Sequence, residues 1–134
     1  MSELPVIRVV AAELMRDGRW LITQRQPTAS LPLLWEFPGG RVEDGESDED
    51  ALRRELEYRV GVEITDVSPS MQVTHDYARY RLQMTTFHAR LAEGHEPWPL
   101  KVHAVKWVTL EELALHPFPG ADQQTVDALL GGPQ

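Results

Sequence analysis

The stretch from Pro38 to Gly61 constrains the fold more than any other part of the 134-residue chain. Pro38-Gly39-Gly40 predicts a turn, because proline fixes its own φ and glycine reaches values closed to other residues. From Ser47 the run SDEDALRRELEYRV takes up the helical period: Ala51, Leu52, Glu55, Leu56 and Arg59 recur at spacings of three and four. Acidic residues crowd its first turn, where the helix dipole favours them, and Gly61 supplies the stop. Ser47 with Asp50 resembles a capping box.

Around this helix the chain reads as strands. Val6 to Ala12 is apolar with one arginine, and Trp20 to Thr23 resumes after a turn at Asp17-Gly18, which predicts a hairpin. Residues 26–33 read as a surface loop, followed by the short run Leu34 to Phe37. Val62 to Ser68, Met71 to Thr74, Tyr80 to Leu91 and Ala104 to Thr109 are rich in β-branched or aromatic residues and predict further strands. Thr109 followed by LEELAL and stopped at Pro117 predicts a short capped helix, Gln123 to Leu130 a final one, and GGPQ a frayed tail. Helices on both faces of a mixed sheet would bury these apolar stripes, so the expected fold class is α/β, in one domain over residues 1–134, although composition does not separate it from other α+β sandwiches.

Composition removes several function classes. With no cysteine there is no disulfide framework, thiolate metal site or cysteine nucleophile. A net charge of -8 disfavours a stable nucleic acid complex, yet leaves room for a nucleotide held by local cations. No run approaches the roughly 18 apolar residues of a membrane span, and the N-terminus lacks both a basic start and a cleavable apolar core. The expected location is cytoplasmic, with no membrane partner. The five histidines show neither HxxxH nor HExxH spacing, which argues against zinc.

Read in place, Gly40, Glu46, Arg54, Glu55, Leu56, Gly61 and Val62 carry the spacing of the Nudix box, and the chain resembles the MutT-like branch of that family. Leu34 to Gly40 is similar to the approach to the box, and Phe118-Pro119-Gly120-Ala121-Asp122 to the segment that meets the base. The resemblance implies a Nudix α/β/α sandwich and a nucleoside triphosphate pyrophosphohydrolase, cleaving NTP to NMP and pyrophosphate with Mg²⁺ or Mn²⁺. It implies Glu55, Arg54 and Glu46 as the catalytic group, with the Gly39 carbonyl and Glu55 as metal ligands. It also implies Phe37 and Asp122 around the base, and Arg25 on phosphate or base. An ionised Asp122 would only accept hydrogen bonds, which favours a base with an amino group. MutT-like proteins are often monomers, so a monomer or weak dimer is expected.

The resemblance breaks where the metal carboxylates belong. The family's glutamate pair falls on Tyr58 and Arg59, and a further carboxylate falls on Lys101 when counted back from Trp107. Glu57 is no substitute, since two residues beyond Glu55 it is rotated by about 200 degrees around the helix. Weak hydrolysis is therefore one expectation. The alternative is a non-catalytic nucleotide binder in which Arg59 and Lys101 contact phosphates, and a third is a structural relic. Several residues keep two readings: Arg59 and Lys101 as solvated charges or a phosphate clamp, Tyr58 as a cover over the vacated pocket, Phe37 as core or base contact, and Asp122 as helix cap or base contact. His75-Asp76 forms a candidate proton-transfer pair, Trp98 between two prolines a rigid packing loop, and Asp44, Asp48, Glu93 and Glu96 are carboxylates able to fold inward.

Overall fold

Ten elements follow one another in the computed structural model, which describes residues 3–131. They are β1 (Val6–Arg16), β2 (Arg19–Gln24), β3 (Trp35–Glu36), β4 (Gly39–Arg41), α1 (Asp48–Val60), β5 (Ile64–Asp76), β6 (Arg81–Leu91), β7 (Ala104–Val108), α2 (Leu110–Leu113) and α3 (Gly120–Leu129). Gly131 is in a turn, and the rest of the expected tail, Gly132 to Gln134, lies outside the described residues.

The long strand β1 organises the sheet. It runs parallel to β6, pairing Val6 with Arg81 through Leu14 with Ala89, and antiparallel to β4 and to the start of β2. Asp17 (φ 52°) and Gly18 (φ 73°) both take positive φ in the β1–β2 turn, the backbone a tight hairpin turn requires. β2 continues the sheet to β3 and β7, and β5 lines the outer side of β6. The sheet is therefore mixed, as expected.

Strand alternation divides the apolar residues between two cores. Val10, Ala12 and Leu14 pack with Leu21 against Ala51, Leu52, Leu56 and Val60 of α1. Ala11 and Ile22 face the other way, toward Leu113 of α2 and Ala121 and Val126 of α3. This is the α/β/α arrangement. Each fully buried leucine in it contributes about 1.5–3 kcal/mol relative to exposure.

The helix ends follow their chemistry. Ser47 Oγ accepts from the Asp50 N–H at 3.1 Å, and Gly61 closes α1 at φ 70°. Thr109 and Glu112 form a reciprocal capping box on α2. α3 begins at Gly120, three residues before the sequence predicts, with Pro119 as a cap that makes no side-chain bond.

Two expectations need correction. Pro38-Gly39-Gly40 is not a turn: Gly39 and Gly40 lie in β4 opposite Ala11 and Val10, and neither has a positive φ. Their lack of a side chain answers crowding, since a Cβ on Gly39 would sit 1.9 Å from the Val10 carbonyl oxygen. The two strands expected over 62–74 are one strand, β5, carried past Pro69 by irregular pairing between Thr65 and Met71. No helix among the described residues is long and apolar enough to cross a membrane.

Candidate functional site

β4 crosses the middle of a cleft of about 300 Å³. Gly39, Gly40 and Arg41 line it with Val10 and Ala11 of β1, Leu82 and Met84 of β6, and Tyr77 and Tyr80. Phe37, Glu36, Arg25, Pro119 and Asp122 line it as well, with the Tyr77 hydroxyl accepting from the Ala121 N–H at 3.4 Å beside Asp122, and Arg59 reaches in from α1.

Behind Gly40 lies a chain of alternating charge. Arg54 Nε and Nη2 donate to the two Glu46 oxygens at 2.7 and 2.9 Å, and Arg54 Nη2 also reaches the Arg41 carbonyl at 2.9 Å. Arg54 Nη1 donates to Glu55 Oε1 at 2.9 Å, and Arg59 Nε to Glu55 Oε2 at 2.6 Å. Glu46 is held down to a pKa of about 2, first by the Arg54 hydrogen bond and then by the Glu43 N–H. The same bond to Glu46 raises Arg54 further above its ordinary value. Glu55 is buried against Gly40, where a Cβ would lie 2.3 Å from its carboxyl carbon. Packing restricts Gly40 as well as Gly39, though through a side chain that can shift rather than through a neighbouring strand.

The same cleft also holds two buried acids, Glu36 and Asp122. Asp122 Oδ1 accepts from the Phe37 N–H at 3.2 Å. Burial, and then the nearby negative charge of Glu36, push the Asp122 carboxyl well above its ordinary value. Burial also raises Glu36, against the opposing pull of Arg25, whose Nη1 donates to it at 3.0 Å. Arg25 further ties down the 26–33 loop through Ser30, donating to its carbonyl at 2.7 Å. Phe37 is buried, stacks on Phe118 with centroids 5.9 Å apart, and still presents an edge to the cleft.

A NUDIX domain family model matches residues 9–128. The chain belongs to the Nudix family. It is 33% identical to the CTP pyrophosphohydrolase of Escherichia coli K12 over 95% of this chain and 93% of that one. It is 30% identical to the 8-oxo-dGTP diphosphatase of the same organism, covering 81% and 83%. Among solved structures, the E. coli ORF135 protein superposes with a TM-score of 0.79 at 31% identity, covering 96% of this chain and 91% of that one. The MutT NUDIX hydrolase of Burkholderia pseudomallei gives 0.81 at 26%, covering 91% and 96%.

Against the Nudix pattern, the structure brings Gly39, Phe37, Arg25, Asp122 and Arg59 to one cleft and sets Glu55, Arg54 and Glu46 directly behind it. It does not bring Lys101 there. The Lys101 ammonium lies over the Tyr58 ring, 5.8 Å from its centroid, and its N–H donates to the Arg59 carbonyl at 3.0 Å, outside the lining of the cleft. Tyr58 does not cover the pocket either; it is 56% exposed. Asp122 does not cap α3, and Glu57 is exposed as its helical position requires. Asp76 pairs with Arg81 at 2.6 Å rather than with His75, which instead packs on Tyr77. The Trp98 backbone bonds to Val60 and its ring covers Gly61, so the loop packs on the end of α1.

Nudix hydrolases generally use divalent metals, and the donors here do not fit one well. Both oxygens of Glu55 are taken by arginines. Of the candidate loop carboxylates, Asp48 pairs with Arg8 and Glu96 with Arg16, while Asp44 and Glu93 are exposed and outside the lining of the cleft. Among the described residues no three His, Asp or Glu side chains converge as a metal site. Glu36, Arg41, Tyr77 and Tyr80 also line the cleft without having stood out in the sequence. Arg41, directly after Gly40, was the one whose position gave a signal.

Proposed function

We propose that this protein is a nucleoside triphosphate pyrophosphohydrolase of weak turnover, releasing a nucleoside monophosphate and pyrophosphate. The observation that carries the reading is a single cleft that gathers aromatic rings and the buried acids Glu36 and Asp122 together with the arginines Arg25, Arg41 and Arg59. The base lies at Phe37, Asp122 and Tyr77, and the phosphates run toward Gly40, Arg41 and Arg59. Weakness follows from the Glu55 oxygens being closed by Arg54 and Arg59, which leaves little carboxylate charge to hold a cation or activate water.

The raised Asp122 alters the recognition expected of an ionised aspartate. In the protonated form, which burial favours, it donates once and accepts once, which complements the cytosine edge of ring N3 and the N4 amino group, and the equivalent edge of adenine. Cytidine triphosphate is therefore the first substrate to try, in keeping with the name of the E. coli relative. The same reading takes the protein as a cytoplasmic monomer or weak dimer whose partner is the free nucleotide rather than a nucleic acid.

The test is pyrophosphate release from a panel of ordinary and modified nucleoside triphosphates, with Mg²⁺ and with Mn²⁺, beside a Glu55→Gln variant. Turnover that favours cytidine and is lost in the variant supports the reading. Absence of turnover with every nucleotide and both metals rejects it.

A further inference from the structure

We propose that the cleft binds polyphosphate without a divalent cation, through the Arg59 guanidinium assisted by Arg41. The proposal rests on the functional reading for where the phosphates lie, and differs from it in what holds them.

Three observations converge. Among the described residues Arg59 spends only its Nε, on Glu55, so both terminal NH₂ groups, four N–H donors, remain for an anion. Arg59 lines the cleft while Glu55 sits behind Gly40, so an entering ligand meets the cation first. Arg41 lines the same floor; its backbone carbonyl is bonded to Arg54, and among the described residues its guanidinium has no ion-pair partner.

The alternating series Glu46, Arg54, Glu55, Arg59 explains why this arginine is held in place. Glu43 adds a further carboxylate 3.7 Å from Arg54, so the cluster carries no net positive charge, and what its Arg59 end presents at the cleft wall is a set of directed N–H donors. Glu55 thus becomes a positioning residue: it fixes the plane of the guanidinium as a carboxylate behind a phosphate-binding arginine does. A planar fork of donors suits a phosphate oxygen pair, whereas a divalent cation approaching the same point is repelled by it.

The experiment is isothermal titration in EDTA, with two probes, inorganic tripolyphosphate and the non-hydrolysable α,β-methylene analogue of CTP, repeated with Mg²⁺. The expected result is binding of both probes in chelator, weakened roughly tenfold to a hundredfold in Arg59→Gln and less in Arg41→Gln. Arg59→Lys, which keeps the charge and loses the fork, falls between parent and Arg59→Gln. Thermal melts establish that each variant is folded before it is titrated. Binding of either probe only when Mg²⁺ is present overturns the proposal and leaves the nucleotide reading standing. Equal affinity of parent and Arg59→Gln also overturns it. Tripolyphosphate bound in chelator as tightly as the CTP analogue, and lost in Arg59→Gln, upholds the phosphate site while counting against the base end of the functional reading.

Discussion

Arg59 Nε lies 2.6 Å from Glu55 Oε2, one helical turn away, so a cation from the same helix closes the carboxylate that the Nudix box retains on the inner face of α1. Reversing that substitution gives the sharpest contrast. In the double variant Tyr58→Glu, Arg59→Glu the helix regains three glutamates spaced to converge. Without metal these like charges repel, and the variant melts lower than the parent by the equivalent of about 1 kcal/mol. Mn²⁺ at a hundredfold excess over its dissociation constant then returns about 2.7 kcal/mol to the variant and raises its melting temperature. The parent shows no such rise. Equal Mn²⁺ shifts in both proteins would mean that Arg59 does not exclude the cation.

The two glycines of β4 differ in what they touch, and their alanine variants differ accordingly. In Gly40→Ala the new Cβ meets the Glu55 carboxyl, a side chain that can withdraw at the expense of its arginine bonds. Overpacking of this kind costs about 1–3 kcal/mol and loosens Arg59 at the cleft wall. In Gly39→Ala the Cβ meets the Val10 carbonyl at 1.9 Å, and backbone cannot withdraw without breaking the β1–β4 pairing. That variant loses more than about 3 kcal/mol and fails to give a cooperative melt. Denaturant titration of the pair checks the ranking; a Gly39→Ala protein as stable as Gly40→Ala would refute it.

How much of this was legible beforehand depends on where the cause lies. The β1–β2 hairpin, the Ser47 cap, the Gly61 stop and the Thr109–Glu112 box are local, and the sequence displays them because each is decided within about four residues. Gly39 and Gly40 showed that glycine was required, but the reason, contact with Val10 and Glu55, is tertiary and reads locally as a turn. Counting back from Trp107 misplaced Lys101 because the 97–101 loop folds onto the end of α1 instead of running along the cleft. Tyr77 and Tyr80 sit in the turn between β5 and β6, and they meet the cleft because β6 pairs with distant β1 and α3 packs beside the turn, which no local pattern identifies. Arg59 was visible as a departure from the box. That it spends only one nitrogen on Glu55 was not.

Glu46 gives an acid limit to the site. Its pKa falls from the ordinary 4.5 to about 2 in the folded protein. A depressed carboxylate contributes stability that is present above the unfolded value and lost as pH falls through the folded one, so the window runs from about 4.5 down to about 2. Glu46→Gln removes the ionised partner of Arg54, and with it this part of the acid dependence. Melting temperatures of parent and variant measured across that window converge toward its acid end. Curves separated by a constant amount would show that Glu46 does not titrate with folding.

Asp122 carries the opposite sign. Its carboxyl is raised well above 3.8 by burial and by the charge on Glu36. The advantage of a raised acid is fully present below the unfolded value and is lost as pH rises through the folded value, so the parent loses stability upward from about 3.8. Asparagine is the neutral counterpart of a protonated aspartate: its carbonyl can still accept from the Phe37 N–H, and its amide can still donate to the cleft. Asp122→Asn therefore gains stability relative to the parent as pH climbs, and keeps the same preference among bases because the donor and acceptor pattern is unchanged. Paired melts over a pH series measure the first effect, and competition between CTP and GTP analogues the second. A variant that tracks the parent at every pH, or that abandons cytidine, would place an ionised aspartate at this position. Glu36→Gln supplies the internal check: with the neighbouring negative charge gone, the loss of stability attributable to Asp122 moves to lower pH.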